Sequence, residues 1–94
     1  MNAEPVLAKH NVSYDGATLK IYHANKGEGL PKHQHGYAHL TMCHAGSCRV
    51  SNERRSIVIT KNSMPVNLVA GEWHEIEALE DGTVFVNMFA EGKY

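Results

Sequence analysis

Seven histidines occur in 94 residues, and they are unevenly spread. His33, His35 and His39 crowd one stretch, and His74 stands apart in Gly71-Glu72-Trp73-His74. Neutral imidazole offers a lone pair to zinc, copper, iron and nickel. Side chains of an extended chain alternate faces, so separations of two and four residues place His33, His35 and His39 on one face. The chemistry this pattern supports is coordination of one divalent transition metal, with His74 closing the site from elsewhere in the chain. Four imidazoles carry no negative charge, so the ion would keep its full formal charge. Such a centre is a strong Lewis acid and favours anionic ligands. A six-coordinate ion with these ligands has open positions for water, substrate or oxygen, whereas tetrahedral zinc would be closed, as in structural sites. Histidine ligation admits Mn, Fe, Co, Ni, Cu or Zn and does not choose among them.

Other residue types near the cluster have supporting roles. Alternation puts Tyr37 on the face of His39, and His23 falls on the apolar-looking face of its own segment with Leu19 and Ile21. Tyr37 and His23 are therefore the candidates for groups that sit behind the ligands. Tyr22 and Trp73 are expected near the mouth but aimed away from the metal, and His44 on the face opposite His39. No carboxylate falls on the expected metal face of either histidine segment, so no dedicated acidic base is placed there. Cys43 and Cys48 flank a turn at Ala45-Gly46. A two-residue hairpin there would set the thiols opposite each other on adjacent strands, as small buried hydrophobes rather than ligands, with a cross-strand disulfide or a redox role as the alternative. Arg54 and Arg55 are read as solvated charge on a hairpin tip.

These residues need elements to hold them, and the elements are strands. Residues 17–24, 36–44, 47–51, 56–60, 64–69, 73–79 and 83–89 alternate or are rich in β-branched residues. Residues 12–14 make a shorter strand, and residues 1–9 a mobile start or, over residues 5–8, an edge strand. Turn signals separate them at Asp15-Gly16, Asn52 to Arg55, Lys61 to Ser63, Ala70-Gly71 and Glu80 to Gly82. Residues 25–32, with Gly27, Gly29 and Pro31, read as a loop. No segment has a capped helical period. Eight to ten short strands predict an all-β sandwich or barrel.

The spacing around the cluster is more specific than a group of histidines. Gly27, five residues, His33, one residue, His35, three residues, His39, six residues and Gly46 resemble the first motif of the cupin family. Cupins usually carry glutamate where this chain has His39. Of the second cupin motif only Gly71 and His74 match; Ser63, Val69 and Ala78 stand where a glycine, a proline and an asparagine are usual. The resemblance covers residues 17–90, which form the expected barrel core of a single domain over residues 1–94. It implies a jelly-roll cupin barrel of two packed antiparallel sheets, with His33, His35, His39 and His74 around one divalent metal. Because cupins with histidine-only sites include dioxygenases, it implies a metal-dependent oxidoreductase acting on a small anionic or oxygenated molecule. A non-redox isomerase or lyase on carbohydrate-like substrates, or a small-molecule-binding module without turnover, fits the same motif.

Composition bounds the partners. Nine basic and ten acidic residues leave a formal net charge of -1, which gives no field for nucleic acid and no polybasic membrane patch. No apolar run approaches a membrane span, and MNAEPVLAKH lacks the form of a signal peptide, so a cytoplasmic protein is expected. A domain this short buries a limited core, which favours stabilisation by a metal or by a homodimer. The edge strands give the same expectation of a homodimer.

Overall fold

The computed structural model describes residues 3–34 and 36–90. Among them the chain forms strands and turns only: β1 (Glu4–Pro5), β2 (His10–Tyr14), β3 (Ala17–Ala24), β4 (Glu28–His33), β5 (His39–Ala45), β6 (Ser47–Asn52), β7 (Ser56–Thr60), β8 (Val66–Leu68), β9 (His74–Ala78) and β10 (Thr83–Ala90). Two five-stranded sheets result, in the orders β1-β4-β9-β6-β7 and β2-β3-β10-β5-β8. Apart from the parallel pair β1–β4, all pairings are antiparallel. Among consecutive strands only β2–β3 and β6–β7 are neighbours in one sheet; every other step crosses from sheet to sheet. Among the described residues no helix is long and apolar enough to cross a membrane.

The alternation of sequence decides which residues fill the space between the sheets. Thr83, Phe85, Asn87 and Phe89 of β10 point inward, as do His39, Thr41 and Cys43 of β5 and His74, Ile76 and Ala78 of β9. One end of the interior is apolar. There Phe85 lies opposite both Tyr22 and Cys43, and its ring stacks on Tyr22 with centroids 4.7 Å apart. The other end holds His39, Thr41, His74 and Asn87, with Leu68 opposite His39 and Phe89 beyond Asn87. Burial of the apolar end is the main drive for closing the sheets, and it presses the polar end shut.

Three local expectations are corrected. Residues 28–33 form a strand and not a loop. Gly29 belongs there because a β-carbon would overlap the Ile76 carbonyl oxygen of β9. Pro31 is tolerated because the β4–β9 register shifts between Leu30 and His33, where the ladder is already interrupted. The faces of β3 are inverted: Tyr22 and Ala24 face the core, while Leu19 and Ile21 lie half-buried on the outside and His23 is exposed. Alternation identifies two faces but does not say which one is inside. Finally, Ala45-Gly46 is not a hairpin turn, since β5 and β6 belong to different sheets. At the N-terminus the edge strand is limited to Glu4–Pro5.

Gly46 carries that crossing. Its φ of 72° lies in the left-handed region, and a β-carbon would overlap Thr83 Oγ1 and approach Thr83 Cα to 3.0 Å. Gly16 also has positive φ, at 86°, but open space around it. The expected outcome is that Gly46→Ala lowers unfolding free energy by about 3 kcal/mol, combining backbone strain with overpacking. Gly16→Ala should cost only about 1 kcal/mol, from backbone strain alone. Urea unfolding of both variants checks this; equal losses would show that Gly46 is needed for its φ alone.

Candidate metal centre

The histidines meet because the sheets meet. His33 ends β4 and His74 begins β9, and the two are register partners within one sheet. His39 begins β5 in the other sheet. Alternation along an extended chain predicts His33, His35 and His39 on one face of one segment. In the structure the chain leaves the first sheet after His33 and enters the second at His39, so these two converge across the interior instead. His35 lies outside the described residues.

The cluster is close and largely sealed. His39 is 5 % exposed and His74 1 %. Their Nε2 atoms approach to 3.4 Å, with ring centroids 5.1 Å apart and planes at 77°. His33 stands edge-on to His74 at 4.4 Å between centroids. Its Nδ1 donates to the Pro31 carbonyl at 2.6 Å, which leaves the lone pair on Nε2. At 3.4 Å the Nε2 atoms of His39 and His74 either share one proton or both offer lone pairs to a cation. Two nitrogens about 2.0–2.1 Å from one ion, near the tetrahedral angle, stand about 3.4 Å apart. The separation therefore fits two ligands of one metal. Among the described residues no group of three or more His, Cys, Asp or Glu side chains is arranged to hold a metal ion; the spacing that fits is that of the His39–His74 pair alone.

Two residues behind His39 escaped the sequence reading. Thr41 Oγ1 lies 3.3 Å from His39 Nδ1 and donates to Asn87 Oδ1 at 2.7 Å. Thr41 is fully buried and Asn87 nearly so. The alternation of β5 places Thr41 on the same face as His39, which was legible. Its pairing with Asn87 of β10, 46 residues away, was not.

His23 and His44 lie on outer faces. His23 is exposed on the outer face, beside His10 with ring centroids 6.0 Å apart, so it does not stand behind the ligands. Tyr37 is half-buried and tilts against Phe89 at 6.0 Å. Tyr22 is core, packed on Phe85. His44 is exposed, on the face opposite His39. Trp73 takes the Lys32 ammonium over its ring at 4.5 Å, which ties the segments flanking His74 and His33 together on the outside. Arg54 is anchored rather than free on its tip: its Nη2 pairs with Glu72 at 3.1 Å, two residues before His74. Glu75 accepts from the Ala3 amide, and Glu77 pairs with Arg49.

No protein-family model and no curated protein matches the chain. Solved structures do. A protein with a double-stranded β-helix domain from Klebsiella pneumoniae shares 18% identity at TM-score 0.73, over 98% of this chain and 76% of that one. A cupin-2 domain protein from Shewanella frigidimarina shares 8% at TM-score 0.69, over 92% and 84%. KdgF from a Halomonas species shares 17% at TM-score 0.65, over 86% of each. The chain thus has the double-stranded β-helix architecture. It folds as a cupin, as the spacing of Gly27, His33, His39 and Gly46 implied.

Cys43 and Cys48 are free thiols that face each other across the interior, with Sγ atoms 3.9 Å apart, from strands of opposite sheets. Burial pushes both thiols above the ordinary value of 9.0, Cys48 most strongly. The unfolded chain ionises them near that value. Their neutral forms therefore contribute full stability below about pH 9, and it is lost as pH rises beyond. Urea midpoints measured from about pH 8 to pH 10 should fall with pH, and Cys48→Ala should flatten the fall even while lowering the midpoint at pH 8. An unchanged slope in that variant would assign the alkaline loss to other groups.

Proposed function

We propose that the chain is a metal-dependent cupin in which His33, His35, His39 and His74 hold one divalent transition metal, among Fe, Mn, Ni, Cu and Zn, and act on a small anionic or oxygenated molecule. The observation that carries this is the 3.4 Å approach of the His39 and His74 Nε2 atoms from opposite sheets. The metal, when bound, supplies Lewis acidity, and if it is iron or copper it supplies redox chemistry. The chain's own residues orient the ligands through Pro31 and Thr41, and keep bulk water from the His39–His74 side by burial.

An oxidoreductase of dioxygenase type is favoured over an isomerase or lyase by the fate of the carboxylates. Proton transfer needs a base beside the reacting atom. The carboxylates flanking His74 are engaged elsewhere: Glu72 with Arg54, Glu75 with the Ala3 amide and Glu77 with Arg49. A reaction that moves electrons at the metal does not require them.

Elemental analysis of untagged protein, followed by oxygen uptake with candidate substrates, tests the proposal. The expected result is about one iron or copper per chain and substrate-dependent oxygen consumption. Alanine at His33, His35, His39 or His74 should each sharply lower metal retention, while His44→Ala and His23→Ala should not. Equal retention in all six variants would overturn the ligand assignment. Zinc, manganese or nickel without oxygen uptake would leave the metal site and overturn the oxidoreductase reading.

We also infer that two copies pair. The outer face of the β2-β3-β10-β5-β8 sheet carries the cross-strand rows Leu19–Met88–Leu40 and Ile21–Val86–Met42, and all five residues of the edge strand β2 are exposed. A second copy would cover this apolar face and that edge. Light scattering at micromolar concentration should give twice the chain mass, and Val86→Lys should give the chain mass. A monomeric wild-type protein would overturn the pairing.

A further inference from the structure

We propose that Thr41 and Asn87 are positioning residues that fix the tautomer of His39, with its proton on Nδ1 and its lone pair on Nε2. The threonine hydroxyl has one proton and two acceptor sites. That proton is spent on Asn87 Oδ1 at 2.7 Å. The oxygen can then only accept from His39 Nδ1, 3.3 Å away. A neutral imidazole with Nδ1 protonated has its lone pair on Nε2, the atom that stands 3.4 Å from His74 Nε2. All three residues are buried, so water does not compete for the ring nitrogens: Thr41 is 0 %, His39 5 % and Asn87 5 % exposed.

The direction of the relay matters. If Asn87 presented its amide nitrogen to Thr41, the hydroxyl would point its proton at His39 Nδ1. The imidazole proton would move to Nε2 and the cluster would lose a ligand. The Asn87 carbonyl therefore selects the ligating form through an intervening hydroxyl. This purpose rests on the proposed metal site, but the tautomer itself does not.

The test uses the metal-free full chain labelled with nitrogen-15. Two-bond proton–nitrogen correlations of the imidazoles are recorded well above the ordinary imidazole pKa of about 6.5. Wild-type His39 should show the Nδ1-protonated pattern. Thr41→Ser should keep it, and Thr41→Val, which keeps the shape and removes the oxygen, should lose it. Zinc competition against a chromophoric chelator should then show a loss of about 10–100-fold for Thr41→Val and near wild-type affinity for Thr41→Ser. Asn87→Ala, combined with Thr41→Val, should add little to either change. A wild-type His39 protonated on Nε2 would overturn the proposal without any variant. So would a Thr41→Val protein with unaltered His39 signals. Correct tautomers with no zinc binding in the wild type would instead reject the metal reading and leave the relay standing.

Discussion

Two imidazole nitrogens stand 3.4 Å apart in the interior, one from each β-sheet, and both sheets must accommodate them. His39 and His74 are both nearly sealed from solvent. A buried polar atom without a partner costs about 1–3 kcal/mol, and a shared proton or a shared cation would satisfy both nitrogens at this distance. Each sheet delivers its histidine at the first residue of a strand, and each strand then runs inward to apolar residues: Cys43 in β5, Ile76 and Ala78 in β9. The apolar end of the interior supplies the force that closes the sheets. The polar end sets how closely they come together.

A bound metal would extend this division of labour. In a chain of 94 residues the core is small, and a cross-link between the sheets at the polar end would oppose their separation there. The connections around the site are consistent with a need for definite geometry. Lys32 over Trp73 and Arg54 on Glu72 brace the segments next to His33 and His74 from outside. Each such exposed contact is worth little by itself. Their position, one or two residues from a histidine, gives them more influence on orientation than on stability.

The sequence disclosed the convergence of histidines better than it disclosed the paths that bring His33, His39 and His74 together. The spacing of Gly27, His33, His39 and Gly46 identified the fold, because those glycines and histidines fall where the chain crosses between sheets or ends a strand. Gly46 has positive φ and presses on Thr83, so its identity is forced by backbone and packing together. The interior face of β3 was not legible: Leu19 and Ile21 are apolar enough to be core, and only the pairing of β3 with β10 turns Tyr22 inward. The strand at Glu28–His33 was hidden because Gly29 and Pro31 signal a turn locally, whereas Gly29 answers to Ile76 across the β4–β9 ladder. Asn87 was invisible as part of the site for the same reason. Its role depends on lying opposite Thr41 in the register of β10 with β5. In a fold whose consecutive strands mostly change sheets, local pattern predicts the strands and long-range pairing decides their use.

The polarity of the relay behind His39 bears on what the site would bind. Metal-bound histidines are often backed by a carboxylate, which makes the imidazole a stronger donor and adds a negative charge nearby. Here the groups behind His39 are a hydroxyl and an amide, and the group behind His33 is a peptide carbonyl. All three are neutral acceptors. They orient the rings without offsetting the charge of an ion. Histidine at position 39, where cupins usually carry glutamate, works in the same direction. A single carboxylate about 5 Å from an anionic ligand would oppose it by about 3 kcal/mol at an effective dielectric near 20. That is a loss of more than a hundredfold in affinity. Were the four histidines to hold a metal as proposed, this penalty would be absent from the ligand set and from the groups behind His39 and His33, and this neutrality is the physical basis for proposing anionic molecules as ligands.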